Sequence, residues 1–219
     1  MTATLALTGS NLCGDAAFSA AVLSEGEVTV SSVPAGERGD LASLCRDLCA
    51  SRDLRPEQLS RIVLDVGPGS YTGLRVAVTF VRLLQQYSSL EVEGVCSLAV
   101  LARRAAEVAQ AADAPVRTLL DARRGRWHTA LHQHVDGTTL ELEAARASKV
   151  GELLEVVDGQ HVLAAPAAFA DTLRREHGLD CLAVSGWSAD ALLLDGLPRF
   201  AAAPADLEPR YLMASYAED

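Results

Sequence analysis

The chain of 219 residues is long enough for one or two compact units with real hydrophobic cores. It carries 29 acidic against 19 basic side chains, a net charge of −10, which disfavours a protein whose whole surface grips a polyanion. Apolar residues make up 49% and charged residues 22%, an ordinary globular balance, and no run of about 18 apolar residues marks a membrane span.

Met1-Thr2-Ala3-Thr4-Leu5-Ala6-Leu7 lacks a basic segment and a long apolar one, so it reads as a first strand and not as a signal peptide. Residues 4–8, 17–23 and 27–32 are expected strands, with Gly26 at a hairpin turn. Asp40 is placed to cap a helix from Leu41 to about Ser51, whose apolar face carries Leu41, Leu44, Cys45, Leu48 and Cys49. The five cysteines are odd in number and irregular in spacing, which excludes a disulfide framework and suits a reducing compartment. Pro56 opens a short turn before a strand over 61–66.

The next segment is Gly67-Pro68-Gly69-Ser70-Tyr71-Thr72-Gly73-Leu74-Arg75. It joins the apolar run Ile62-Val63-Leu64-Asp65-Val66 to a helical pattern through Val76, Val78, Phe80, Val81, Leu83 and Leu84, ending near Tyr87. That order reads as strand, tight glycine turn and helix. Glycine admits positive φ and close backbone approach, and Gly69 and Gly73 are the positions expected to need a conformation that a Cβ forbids. Ser70 and Thr72 offer capping hydroxyls. Free N–H groups at the helix start make Gly67, Gly69, Ser70, Thr72 and Gly73 a candidate nucleotide site, while a purely structural turn accounts for them equally well.

A strand over 92–95 and an alanine- and arginine-rich helix from Ser97 to about Ala111 follow. Asp113-Ala114-Pro115 marks the expected boundary between an N-terminal subdomain, 1–112, and a smaller C-terminal one, 113–219. Residues 116–121 and 126–135 form a hairpin around Arg123-Arg124-Gly125, with Asp121 as a turn cap and Arg123, Arg124 and Arg126 as a solvated turn. Ser148 caps an expected helix over 149–157. Strands at 161–164 and 181–184 flank a helix over 167–177, and 188–194 reads as helical. The alternation argues for an α/β fold, without an internal sequence repeat.

No catalytic residue and no metal site emerge. His128 and His132 have a spacing that would share a helix face, yet they lie in a β-like stretch, where residues four apart are about 13 Å apart. His132 and His134 share a strand face, but two ligands make a poor site, so half-exposed strand histidines are expected. Ser70 has no base nearby in sequence, and its loop is not G-x-S-x-G. Trp127 and Trp187 read as packing residues.

Four motifs occur in order: 67–75, Gly94-Val95-Cys96-Ser97-Leu98, Leu120-Asp121-Ala122-Arg123-Arg124-Gly125 and Pro209-Arg210-Tyr211-Leu212. Together they resemble the bacterial TsaB family of tRNA threonylcarbamoyladenosine biosynthesis proteins over nearly the whole chain. The resemblance implies two ribonuclease-H-like subdomains of the actin/Hsp70/sugar-kinase superfamily, with mixed sheets flanked by helices. It implies a non-catalytic cytoplasmic subunit that supports a TsaD-like catalytic subunit. That complex transfers a threonylcarbamoyl group to adenosine 37 of tRNAs reading ANN codons. A TsaE-like ATPase completes it, tRNA is met only indirectly, and the chain alone is a homodimer. No intrinsic cofactor is implied, with room for an adenine nucleotide at the complex interface. The implied partner surface uses the two long N-terminal helices: Leu41, Leu44, Cys45 and Leu48, then Val76, Phe80, Leu83, Leu84 and Tyr87; burial of all of them in the core accounts for the same apolar pattern equally well.

This chain departs from that family in three places. Thr8 stands where the first strand ends in aspartate, Glu37-Arg38 replaces a Glu-His pair, and Met213 replaces an arginine. The region where a TsaD-like chain carries its metal histidines matches Ser97-Leu98-Ala99-Val100-Leu101, without histidine. A neutral hydroxyl at position 8 cannot balance a metal–phosphate group. It counts against the other reading, a stand-alone ATP-dependent small-molecule kinase or ATPase of the same superfamily.

Overall fold

The apolar runs of the N-terminal third become strands of one sheet. Each long amphipathic segment becomes a helix laid on a sheet. A computed structural model describes residues 3–10, 16–37, 39–109, 113–156, 161–203 and 205–212. Arg38 and Met213, two of the departures above, lie outside the described residues.

Strands β1 (Ala3–Thr8), β2 (Ala16–Ser24) and β3 (Glu27–Pro34) form an antiparallel meander. Helix α1 (Leu41–Ala50) leads through a 3-10 turn at Pro56–Gln58 to β4 (Leu59–Gly67), parallel to β1. Helix α2 (Tyr71–Gln86) leads to β5 (Glu91–Cys96), parallel to β4. Leu5, Leu7, Val22, Ile62 and Leu64 pack with Leu41, Leu48 and Val81 into the core of this unit.

The second sheet repeats the order. Helix α3 (Ser97–Ala109) precedes the meander of β6 (Val116–Asp121), β7 (Arg126–Val135) and β8 (Thr138–Lys149). Helix α4 (Val150–Val156) leads to β9 (Val162–Pro166), and α5 (Ala167–His177) to β10 (Leu182–Val184), both in parallel pairings. Its core joins Leu119, Trp127, Leu153, Leu163 and Leu173. A 3-10 helix at Ala189–Leu193 and a short β11 (Arg199–Ala201) on β5 complete the described elements. The sheets run β11-β5-β4-β1-β2-β3 and β10-β9-β6-β7-β8. Both are the ribonuclease-H-like arrangement, repeated in topology without a repeat in sequence.

Several expectations need correction. Residues 138–147, given no element above, begin a strand that runs on through Ser148 to Lys149, although Glu, Ala and Arg favour helix there. The Asp136-Gly137 turn, with φ of 50° and 78°, folds them back on β7. Ser148 is therefore buried in β8 and caps nothing. The expected boundary at 112/113 moves as well. The units are Met1–Cys96 with Trp187–Leu194 and Arg199–Pro209, and Ser97–Gly186 with Asp195–Pro198 and Arg210–Asp219. Helix α3 packs on β6 and β7, so it belongs to the second unit, and β11 returns to the first by pairing with β5.

Candidate functional site

The glycine loop begins where β4 ends. The Ser70 side chain caps α2 by accepting the Gly73 N–H at 3.3 Å, as its position predicts. Thr72 is exposed in the first turn. The glycines are needed for two different reasons. Gly67 has φ +97°, the left-handed region open to glycine. Gly69 and Gly73 have no such φ, contrary to expectation for them, and serve close approach instead. A Cβ on Gly69 would fall 2.6 Å from Ser10 Cβ and 2.8 Å from its carbonyl oxygen, and one on Gly73 would overlap the Gly9 carbonyl.

The loop is thus clasped to the chain just after β1. The Ser70 N–H donates to the Ser10 carbonyl at 2.8 Å. Next to it lies a buried polar cluster that the sequence did not reveal. Thr8 donates its hydroxyl to Asp65 Oδ2 at 2.8 Å, Asp65 Oδ1 accepts the Gly67 N–H at 2.9 Å, and Thr8 Oγ1 lies 2.9 Å from Ser10 Oγ. Asp65 is fully buried. Leu7 pairs with Leu64 across the parallel strands β1 and β4, so positions 8 and 65 are neighbours. The carboxylate absent from position 8 stands one strand away. The N–H groups of Gly67, Ser70 and Gly73 are committed within the protein, to Asp65, Ser10 and Ser70. The buried Asp65 carboxyl takes up the acceptor position beside them.

The expected partner surface divides. Leu41, Leu44, Cys45 and Leu48 are buried in the core of the first unit, Leu44 at 8% exposure, so α1 spends its apolar face on the sheet. Burial pushes the Cys45 thiol up to about 12. On α2 the buried stripe is Leu74, Ala77, Val78 and Val81. Val76, Leu83 and Tyr87 are exposed, Tyr87 at 83%, with Phe80 and Leu84 half-buried beside them. Residues 76, 80, 83 and 87 step by four, three and four, the spacing of one helical seam.

In the second unit β7 is a strand and separates His128 from His132, and no cluster of three or more metal-ligating side chains occurs among the described residues. His132 is buried rather than half-exposed, because β7 runs between β6 and β8 beneath α3. Burial, with the Arg210 charge adding to it, lowers its pKa to about 4. Burial likewise lowers His128 to about 4, against the pull of Asp121. Asp121 does cap its turn, accepting the Arg123 N–H at 2.7 Å. Trp127 packs edge-on to Phe169, with ring centroids 6.3 Å apart. The first unit contains no histidine, so Ser70 has no imidazole base within its own unit.

The model of a family described as TsaD, tRNA N6-adenosine threonylcarbamoyltransferase, matches residues 38–185. The tRNA threonylcarbamoyladenosine biosynthesis protein TsaB of Bacillus subtilis (strain 168) is 32% identical over 105 residues, 48% of this chain and 44% of that protein. The match thus spans less than half of the relative's length. A crystal structure of an uncharacterized protein with similarity to peptidase YeaZ from Pseudomonas aeruginosa superposes with a TM-score of 0.76 at 22% identity, covering 97% of this chain and 100% of the other. YeaZ from Pseudomonas aeruginosa superposes with a TM-score of 0.69 at 23% identity, covering 88% and 89%. Those two speak for the fold.

Proposed function

The chain belongs to the TsaD, tRNA N6-adenosine threonylcarbamoyltransferase, family, and we propose that it is a non-catalytic subunit of the complex that makes threonylcarbamoyladenosine (t6A) in tRNA. The similarity to a TsaB supports that role over that of the catalytic subunit. In this reading a TsaD-like subunit performs the transfer to adenosine 37, a TsaE-like ATPase completes the assembly, and the work takes place in the cytoplasm. The chain holds no cofactor of its own, and any adenine nucleotide sits at the complex interface with the partner.

The observation that carries the non-catalytic reading is the glycine loop. Its N–H groups at 67, 70 and 73 are used inside the protein, by Asp65, Ser10 and Ser70, and so are not open to a phosphate. The kinase reading needs those donors open. The partner surface is the exposed seam of α2, Val76, Phe80, Leu83 and Tyr87 with Leu84 at its edge, and the same seam pairs two copies of the chain when no partner is present. The α1 residues support that helix from inside.

The test is turnover. Pure chain is assayed for ATP hydrolysis and for t6A formation from threonylcarbamoyl-adenylate and tRNA, alone and with the TsaD-like and TsaE-like proteins of its organism. We expect no turnover by the chain alone and t6A only with its partners. ATP turnover by the pure chain that Ser70→Ala abolishes would overturn the reading.

A further inference from the structure

Helix α2 differs in charge from the other α-helices described. Asp47 on α1, Glu107 on α3, Glu152 and Glu155 on α4, and Asp171 and Glu176 on α5 give each of those helices a carboxylate. Helix α2 is longer than any of them and carries none, in a chain where acids outnumber bases by 29 to 19. Its charged side chains are Arg75 and Arg82.

The two arginines lie on one line. Arg75, Thr79, Arg82 and Gln86 step by four, three and four, and all of them are exposed. Each directly precedes a member of the apolar seam, Val76, Phe80, Leu83 and Tyr87, so this polar stripe runs beside the seam, about 100° round the helix. Among the described residues no ion pair engages Arg75 or Arg82. Arg75 donates from Nη1 to the Tyr71 hydroxyl at 2.9 Å and lies over that ring.

An apolar row with a charged row along one edge is a pattern by which paired helices choose partners: the apolar row supplies the contact and the edge sets identity. A second copy of the chain fits such a face poorly. When two α2 helices pack antiparallel about a two-fold axis, like edges meet. Arg75 and Arg82 then stand against the same arginines of the other copy, with no acid on either helix. A helix whose apolar row is edged by Asp or Glu fits well, because each guanidinium then meets a carboxylate at the rim of a dry seam. We propose that Arg75 and Arg82 select the partner of the α2 seam, favouring an acid-edged helix of the TsaD-like subunit over a second copy of this chain. The inference rests on the proposed pairing through α2 and adds what chooses between its two occupants.

The test compares two double variants of equal net charge. One is Arg75→Glu with Arg82→Glu. The control is Arg174→Glu with Arg175→Glu, two exposed arginines on α5. Each is melted to verify folding. One arm titrates the TsaD-like protein of the same organism with each chain at about 50 and 500 mM salt, where the screening length falls from about 14 to about 4 Å. We expect the α2 variant to bind on the order of tenfold more weakly at low salt, and to bind better as salt rises. The wild type and the control bind alike, and worse as salt rises. The other arm mixes each variant with wild-type chain and counts the pairs by native mass spectrometry. Opposite stripes attract, so pairs of wild type with the α2 variant should exceed their statistical share, whereas the control mixes statistically. An α2 variant that binds the TsaD-like protein as the control does, or that shows no excess of mixed pairs, overturns the proposal, and the proposed function stands as long as the wild type binds. Should the wild-type chain fail to bind the TsaD-like protein at either salt, the proposed function fails instead. The mixing arm alone then decides whether the stripe sorts helices.

Discussion

The clasp between the glycine loop and the end of β1 makes a sharp prediction for Gly69→Ala. The new Cβ would meet Ser10 Cβ at 2.6 Å, its carbonyl oxygen at 2.8 Å and its Cα at 2.9 Å. Carbon atoms rest at about 3.5–4.0 Å, so the Ser10 backbone and the loop must separate by roughly 1 Å. Overpacking of this kind costs about 1–3 kcal/mol. The separation also pulls on the 2.8 Å hydrogen bond from the Ser70 N–H to the Ser10 carbonyl, worth about 1 kcal/mol more. The sum is about 2–4 kcal/mol, or roughly 4–16 °C in Tm for a chain of this size. Gly151→Ala is the control. It sits exposed in α4 with nothing within 4 Å of its Cβ and should be neutral or gain up to about 1 kcal/mol. Thermal melting monitored by circular dichroism reads both. A Gly69→Ala protein melting within about 1 °C of wild type, or above Gly151→Ala, would refute the clasp.

The two amphipathic helices should respond in opposite ways to a charge. Leu44→Glu places a carboxylate in the core and should abolish the folding transition, while Leu83→Glu, at a position 51% exposed, should shift stability by no more than about 0.5 kcal/mol and still prevent self-association on size exclusion. A Leu83→Glu dimer would count against the seam. Thr8→Asp sets a second carboxylate beside buried Asp65 and should cost roughly 2 kcal/mol or more in denaturant unfolding. Adding Asp65→Thr should restore most of that loss, whereas additive losses would sever the link between the two positions. His128 and His132 have folded pKa values near 4, below their unfolded values, so the unfolded chain binds their protons first as pH falls. Their contribution is complete above about pH 7 and is lost between pH 6.5 and 4, up to about 3 kcal/mol each. His132→Leu should flatten the decline in urea midpoint between pH 7.5 and 5, and an unchanged decline would contradict the assignment.

Local signals were legible where the chain decides locally. Asp40 and Ser70 stand at helix starts and accept from backbone N–H groups three residues on, as capping residues do. Gly67 to Gly73 read as a strand-to-helix turn and is one. Features set by pairing distant in sequence were not legible. Thr8 and Asp65 are 57 residues apart, and only the parallel register of β1 and β4 brings them together. An apolar stripe shows that a helix face is covered without showing by what. Leu41 to Leu48 therefore read equally as interface or core and are core, while Val76 and Leu83 on α2 and Tyr87 at its C-cap are exposed. The strand β8 was hidden by helix-favouring residues, although Asp136-Gly137 was the available hairpin signal.

The central claim is that this chain acts by joining a TsaD-like subunit through α2. Its most direct test is the mass of the species formed when the purified chain and the TsaD-like protein of its organism are mixed and run through size exclusion with light scattering. The account predicts a heteromeric peak with the wild-type chain and two separate peaks with folded Leu83→Glu. Separate peaks with the wild type, or a heteromeric peak that Leu83→Glu leaves intact, would contradict it.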